Sequence, residues 1–206
     1  ASHNLSRLAE RNTPPQTVLS SVTRLTEQKV LLMRQPVADG RSALEHILAD
    51  LGDQGCFFLL GTGDTEYERF LTQISAHYPN FIFLNGYSDH CAAMLYANAD
   101  LFLMPSSFEP CGISQLLAMR DGQPCVVHAV GGLRDTVQHE VNGFCFHGRS
   151  VTEQAEGFID TVRAALMIRK KNRQHWQQIK NNAAAARFLW RDTARQYVEA
   201  LYEGPG

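Results

Sequence analysis

The sequence predicts an α/β fold in which a doubly wound parallel sheet is followed by a tail of helices. Short apolar runs alternate with helix-length amphipathic segments between residues 17 and 147. The apolar runs are continuous, which indicates strands that are buried on both faces. Repeated strand–helix–strand units with right-handed crossovers make such a sheet parallel. After residue 150 only the helical spacing of apolar residues remains.

Six apolar runs predict the strands, and they occupy 17–22, 56–60, 81–84, 101–104, 125–128 and 144–146. The segments between them predict the helices, at 38–51, 65–77, 89–97, 113–120 and 133–139. Glycine or proline closes several of these elements, as Pro105 does after the fourth strand. We therefore divide the chain into an approach segment (1–16), a ligand-binding domain (17–150) and C-terminal helices (151–206).

Charge and composition argue against several classes of protein. The chain has 19 basic and 21 acidic side chains and a formal net charge of −2, unlike an electrostatically driven nucleic-acid binder. No apolar run approaches the roughly 18 residues that a membrane span needs, and the N-terminus has no signal-peptide pattern. The five cysteines have no CxxC spacing, and the eight histidines form no metal-binding motif. We expect a cytoplasmic protein with no cofactor or metal and with no nucleic-acid or membrane partner.

The loop after the fourth strand has the most informative combination of residues. In a doubly wound sheet, ligands lie outside the carboxyl ends of the strands. Here the loop carries the carboxylate of Glu109 and turns at Gly112 into a helix. Backbone N–H groups at such a turn can bind an anion, and Glu109 can reach hydroxyls attached to that anion. Alternatively, Glu109 is only a carboxylate stabilised by the helix dipole.

Two cations, Arg24 and Lys29, lie on the predicted loop after the first strand. A guanidinium fork and a flexible ammonium together suit a diphosphate, although each residue alone is more often part of a solvated surface. The loop Gly61-Thr62-Gly63 allows close approach of a ligand to the backbone, as do Gly131 and Gly132 after the fifth strand. Tyr87, after the third strand, either stacks on a base or packs on a neighbouring helix.

Three of these segments together resemble the C-terminal lobe of glycogen and starch synthases, which are retaining glycosyltransferases of the two-lobed GT-B fold. The run Arg-Leu-Thr-Glu-Gln-Lys at 24–29 is similar to the family's phosphate-gripping motif. The run at 105–116, which includes Glu-Pro-Cys-Gly, is similar to its donor-site loop, and Gly-Gly-Leu-Arg-Asp-Thr-Val at 131–137 to the adjacent glycine turn. The resemblance covers 17–147 and, more loosely, the tail at 190–202. It implies a Rossmann-like nucleotide-sugar-binding domain at 17–150.

The resemblance also implies a site for a nucleoside-diphosphate glucose, with ADP-glucose or UDP-glucose as the donor. Arg24 and Lys29 would neutralise the diphosphate as the glycosidic bond breaks, and Glu109 would hold hydroxyls of the donor sugar. The acceptor would be the 4-hydroxyl of an α-1,4-glucan. Further donor contacts are implied at Gly61, Thr62, Gly63, Tyr87, Cys111, Gly112, Ile113, Gly131 and Gly132.

Two departures from the family pattern and one omission bear on activity. Val30 stands where the family usually has glycine, and Val130 stands where a hydroxyl often precedes the glycine pair. The family's N-terminal lobe, which binds the acceptor, is not part of these 206 residues, so we expect them to be inactive, or nearly so, on their own. In that case 5–12 ends an interdomain linker, and 190–202 packs toward the N-terminal lobe.

Two other functions remain open. One is a non-catalytic nucleotide-sugar-binding module built on the same lobe. The other is a sucrose- or trehalose-type GT-B transferase that uses UDP-glucose. The cysteine in the run Glu109-Pro110-Cys111-Gly112 is characteristic of glucan synthases and favours them over the sucrose- or trehalose-type enzymes.

Overall fold

The computed structural model of the chain describes residues 2–10 and 13–202, so that Ala1, Arg11, Asn12 and 203–206 lie outside the described residues. All six predicted strands form: β1 Thr17–Val22, β2 Gly55–Gly61, β3 Phe81–Asn85, β4 Leu101–Met104, β5 Cys125–His128 and β6 Phe144–Phe146. They build one parallel sheet in the order β3-β2-β1-β4-β5-β6. The strand order reverses between β1 and β4, and doubly wound sheets bind ligands at such a switch point.

Helices cover both faces of the sheet. In chain order they are α1 Ser2–Ala9, α2 Glu27–Arg34, α3 Ala43–Leu51, α4 Thr65–His77, α5 Asp89–Asn98, α6 Ser114–Arg120, α7 Gly131–Thr136, α8 Val151–Lys171, α9 Arg173–Ala185 and α10 Trp190–Leu201. One apolar core joins α2, α3, α4 and α8 to the sheet, and a second joins α5, α6 and α7 to it. Neighbouring strand residues such as Leu101 and Phe102 belong to opposite cores, which explains why the strands are continuously apolar.

Helix α2 is absent from the sequence prediction, and it changes the position of Lys29. Val30 and Met33 are three residues apart, but the third buried residue, Leu32, lies off the face that they share, so the eight-residue segment has no clear apolar stripe. Lys29, which we expected on a loop, therefore lies in the first turn of α2. The next helix begins at Ala43 rather than at residue 38, because Ser42 and Glu45 form a capping box there.

The approach segment is also more ordered than expected. Helix α1 occupies part of the segment that we assigned to a linker, and it is fixed to the sheet by the buried Asn4. The Nδ2 atom of Asn4 donates hydrogen bonds to the carbonyl oxygens of Ser75 (2.7 Å) and Phe81 (2.8 Å). The end of the proposed linker, at Arg11 and Asn12, lies outside the described residues.

The C-terminal helices differ in how they pack. Helix α8 buries Phe158, Val162 and Ala165, as their shared spacing predicts. By contrast, α10 has no buried residue, and its aromatic side chains Trp190 and Tyr197 are exposed. Among the described residues, none of the helices has both the length and the apolar character that crossing a bilayer requires.

Candidate functional site

A cavity of about 410 Å³ opens at the carboxyl ends of β1 and β2, next to the switch point of the sheet. Four of the predicted site residues line it: Arg24, Gly61, Thr62 and Tyr87. Its walls are mostly apolar and include Val22, Leu60, Ala92, Tyr96 and Leu117. An apolar cleft with a few polar groups is typical of a small-ligand site.

Arg24 and Arg120 both line this cavity, and Arg120 is paired with Asp121 (3.6 Å). The side chain of Arg24 is exposed, and no carboxylate in the described part of the chain pairs with it. Its loop is nevertheless held firmly, because the N–H groups of Thr23 and Leu25 donate to the carbonyl oxygens of Leu60 and Thr62, both at 3.0 Å. The guanidinium is thus free to bind an anion while its backbone is fixed.

Lys29 and Glu109 form a second part of the candidate site. The ammonium of Lys29 donates to Oε2 of Glu109 in an ion pair that is almost fully buried, and Glu109 is only 7% exposed. The hydroxyl of Ser106 lies 3.5 Å from the same carboxylate oxygen. Glu109 is therefore not a carboxylate that the helix dipole alone stabilises, because Lys29 of α2 forms an ion pair with it.

Hydrogen bonds join the loop after β4 to the start of α2. The N–H of Ser107 donates to the carbonyl oxygen of Gln28 (2.9 Å), and Nε2 of Gln28 donates to the carbonyl oxygen of Phe108 (2.6 Å). These bonds bring Glu109 within reach of Lys29. Gln28 lies within the 24–29 motif but was not among the predicted site residues.

The glycines of the site allow loops to pack against one another. A Cβ atom on Gly61 would clash with the carbonyl oxygen of Thr23, and one on Gly63 with that of Leu25. Likewise, Cβ atoms on Gly131 and Gly132 would clash with the backbone at 109–111. The structure thus gives these four glycines a packing role, and their contact with a ligand stays a prediction.

Tyr87 stands at the rim of the cavity and is 75% exposed. Of the two alternatives in the sequence analysis, packing on a neighbouring helix is therefore wrong for the described structure. The hydroxyl donates to Asp89, and this hydrogen bond together with the carboxylate charge raises the pKa of Tyr87. The ring face remains available to stack on a planar ligand.

In the segment Cys111–Gly112–Ile113, which lies between Glu109 and α6, Cys111 and Ile113 are exposed and Gly112 is buried. Gly112 has a φ of +79°, which glycine adopts without strain. The helix that we predicted from Ile113 begins at Ser114 and has 7 residues. Any anion here would therefore meet the N–H groups of the loop rather than those of a long helix.

Several polar residues of the site were not predicted from the sequence. Asp89 and Arg120 line the cavity, and Glu68 accepts hydrogen bonds from Thr62 Oγ1 (2.7 Å) and from the Gly63 N–H (3.0 Å). These two bonds lower the pKa of Glu68. Glu68 lies four residues into the helix that follows the glycine loop, and this spacing was the one available signal for its role.

Comparison with known proteins places the chain in a family. Residues 42–183 match the model of the family described as glycosyl transferases group 1. The chain belongs to the group 1 glycosyl transferases. It is 36% identical to a glycogen synthase of Desulfitobacterium hafniense over 195 residues, which are 90% of this chain and 39% of that protein. A glycogen synthase of Geobacillus stearothermophilus is 36% identical over 190 residues, 89% of this chain and 36% of that one.

Solved structures share the fold of this chain. The catalytic domain of starch synthase IV from Arabidopsis thaliana, bound to ADP and acarbose, superposes with a TM-score of 0.73 and 26% identity, covering 96% of this chain and 40% of that one. Sucrose-phosphate synthase from Thermosynechococcus elongatus has the same fold, with a TM-score of 0.65 and 21% identity over 98% of this chain and 48% of that chain. These matches confirm the predicted resemblance to glycogen and starch synthases. They also confirm the predicted Rossmann-like GT-B fold. The chain spans about two fifths of the length of the curated relatives that it matches.

Proposed function

We propose that the chain is the donor-binding lobe of a retaining glycosyltransferase. The full enzyme transfers glucose from ADP-glucose or UDP-glucose to the 4-hydroxyl of an α-1,4-glucan. The observation that carries the proposal is the cavity at the switch point, where Arg24, without an ion-pair partner, and the exposed ring of Tyr87 face the same space. A guanidinium suits a diphosphate and an aromatic face suits a base, so the two groups together fit a nucleoside diphosphate.

The chemistry follows from where charge develops. When the bond between the anomeric carbon and the diphosphate breaks, negative charge grows on the leaving oxygen and positive charge on the sugar. A fixed cation beside the diphosphate stabilises this transition state, and that is the role of Arg24. Retention of configuration requires the acceptor hydroxyl to attack from the face that the diphosphate leaves, and the departing phosphate oxygen takes the hydroxyl proton. In this proposal Arg24 and Lys29 supply the positive charge, and no metal is needed.

The Lys29–Glu109 pair contacts both the sugar and the diphosphate of the donor. The pair holds the carboxylate of Glu109 in place at the edge of the sheet, where it accepts hydrogen bonds from hydroxyls of the donor sugar. When the diphosphate is bound, the ammonium of Lys29 contributes positive charge to the same region. Because the pair is buried, its charges act through a medium of low dielectric constant and are stronger than they would be in water.

The acceptor binds to a part of the protein that lies outside this chain. The exposed apolar residues of α10 support this view, because Trp190, Tyr197 and Leu201 lie on the same side of a helix that buries none of its residues. We propose that α10 packs toward an N-terminal lobe, which supplies the glucan site, and that the 206 residues alone are inactive.

A transfer assay tests the proposal in the full-length protein. Radiolabelled ADP-glucose and UDP-glucose are supplied separately with a glucan primer, and label in the polymer is measured. We expect transfer from at least one donor and none by the 206-residue chain alone. Replacing Glu109 by Gln is expected to impair transfer while nucleotide binding is kept. Full-length protein that binds a donor but transfers nothing would favour the non-catalytic module instead.

A further inference from the structure

Gln115, in the first turn of α6, carries the single buried side-chain polar atom that lacks a hydrogen-bond partner in residues 2–10 and 13–202. The side chain is completely buried, at 0% exposure. Its Nε2 atom donates to the carbonyl oxygens of Cys111 (3.1 Å) and Gly112 (3.0 Å), and it also lies 3.4 Å from Oγ1 of Thr136. The unpartnered atom is the amide oxygen, Oε1. A buried polar atom without a partner destabilises the folded state, so its presence requires an explanation.

Rotating the amide does not remove the unpartnered atom. An exchange of Oε1 and Nε2 would place the amide oxygen against the two carbonyl oxygens and lose both hydrogen bonds. The observed orientation is therefore the one that serves the loop. Its cost is the unmade hydrogen bond of Oε1.

The bonds to Gln115 determine which way the loop directs its N–H groups. Within one planar peptide unit, the C=O and the following N–H point in opposite directions. Because Gln115 holds the carbonyl groups of Cys111 and Gly112 toward itself, the N–H groups of Gly112 and Ile113 point away from it. Neither N–H has an acceptor within the part of the chain that the structure describes.

The backbone conformation agrees with an anion site. Gly112 has a φ of +79°, and Ile113 is right-handed helical, with φ −110° and ψ −34°. A turn in which a residue of positive φ precedes a right-handed helical one can direct successive N–H groups toward a common point, and such concave arrangements bind anions. The missing Cβ of Gly112 is also needed here, since it would lie 2.8 Å from Nε2 of Gln115 and nearer still to Oε1.

We infer that Gln115 is a positioning residue for the diphosphate of the donor. It acts through the loop, by turning the N–H groups of Gly112 and Ile113 outward to where the phosphates bind. The inference rests on the proposed function and extends it from the charged residues to a neutral, buried one. Leaving Oε1 without a hydrogen bond lowers the stability of the folded chain, and this loss accompanies a loop that is fixed in its ligand-binding conformation.

Gln123 offers a matched control, because it is a second buried glutamine (1% exposed) with an ordinary structural role. Its Oε1 accepts from the hydroxyl of Ser20 (3.1 Å), and its Nε2 donates to the carbonyl oxygen of Leu95 (3.3 Å). Both ends of this amide are satisfied. Replacing either glutamine by methionine removes an amide and keeps the length of the side chain.

Calorimetric titration of ADP and of UDP, together with the melting temperature, tests the inference on the full chain. For Gln115→Met we expect affinity to fall at least about tenfold, while the melting temperature falls less than in Gln123→Met, because removal of the unpartnered Oε1 offsets part of the loss of the two Nε2 hydrogen bonds. For Gln123→Met we expect the melting temperature to fall, while affinity stays within about twofold of the wild type.

Two outcomes overturn the inference. One is Gln115→Met binding as tightly as the wild type. The other is a loss of affinity accompanied by a fall in melting temperature as large as that of Gln123→Met, which indicates a structural role. If the wild type binds neither nucleotide, the proposed function fails and the inference falls with it.

A second pair of variants tests the contact between the loop and the Gln115 amide by changing the loop residue Gly112. Gly112→Ala places a Cβ against the Gln115 amide and is expected to weaken nucleotide binding at least about tenfold. Gly40→Ala is its control, because Gly40 has nearly the same φ, +81°, and no neighbour within 4 Å of an added Cβ. Equal affinity in the two variants contradicts the inference even if Gln115→Met does not fold.

Discussion

The ammonium of Lys29 on α2 and the carboxylate of Glu109 on the loop after β4 form a buried ion pair between residues 80 positions apart in the sequence. The pair joins the two strands on either side of the switch point, because α2 follows β1 and Glu109 follows β4. Removing one partner of a buried pair leaves the other charge without compensation, which costs more than removing both.

A double-mutant cycle measures the coupling between these two residues. We expect Lys29→Met and Glu109→Gln each to lower the free energy of unfolding, and the double variant to lose less than the sum. The coupling should be about 1 to 3 kcal/mol, the range for contacting buried groups. Urea titrations of the four proteins provide the measurement. Additive single losses would show that the pair contributes nothing beyond its separate residues.

Tyr87 is predicted to stack on the base of the nucleotide. Tyr87→Ala should weaken binding of ADP or UDP about tenfold, while Tyr87→Phe keeps the ring and should bind within about twofold of the wild type. Tyr197→Ala is the control, because Tyr197 is also exposed but lies on α10, away from the cavity. Calorimetry measures all three variants. A Tyr87→Phe variant as weak as Tyr87→Ala would assign binding to the hydroxyl instead.

Comparing alanine variants of Gly131 and Gly52 distinguishes the stability that is lost through loop packing from that lost through backbone strain. Both have positive φ, +46° and +58°, but a Cβ on Gly131 would clash with the carbonyl oxygen of Glu109, whereas one on Gly52 meets nothing within 4 Å. We expect Gly52→Ala to cost about 1 to 3 kcal/mol of stability from strain, because its φ of +58° and ψ of −160° lie in a region that is essentially restricted to glycine. Gly131→Ala should cost about 2 kcal/mol more because the two loops are forced apart. Urea unfolding of the two variants checks the difference, and equal losses would refute the packing role.

His128, at the end of β5, should make the stability of the fold depend on pH. The side chain is 4% exposed, stacks on Phe146 with 5.1 Å between ring centroids, and donates from Nδ1 to the carbonyl oxygen of Ser106 (3.1 Å). Burial lowers the pKa of His128, the nearby His147 lowers it further, and the hydrogen bond to Ser106 opposes the shift.

The sign of the effect follows from proton binding. As the pH falls through about 6.5, the usual pKa of histidine, the unfolded chain takes up a proton that the folded chain does not. The free energy of unfolding should therefore be lower at about pH 5.5 than at about pH 7.5. His128→Asn keeps a donor for Ser106 but does not titrate, so part of this pH dependence should disappear. An unchanged pH dependence in His128→Asn would remove His128 as its source.

Periodicity and loop position were sufficient to predict the sheet and the general location of the site. The six apolar runs predicted six strands, and the rule that ligands bind at the carboxyl ends directed attention to Arg24, Tyr87 and Glu109. Helix α2 was missed because its buried residues do not form a stripe, so Lys29 was placed on a loop. The pairing of Lys29 with Glu109, the packing of Gly131 on Glu109 and the unpartnered Oε1 of Gln115 depend on contacts between distant segments. A single sequence contains no local signal for such contacts.

The central claim is that Arg24 and its cavity bind the diphosphate of a nucleotide without a metal ion. The most direct measurement is calorimetric titration of ADP and UDP into the chain in the presence of a chelator. We expect binding of at least one nucleotide, and an affinity at least about tenfold lower for Arg24→Ala, since a charge-assisted contact to phosphate is lost. Arg149→Ala, which removes an exposed arginine outside the cavity, should bind like the wild type. The absence of binding by the wild type, or wild-type affinity in Arg24→Ala, would contradict the claim.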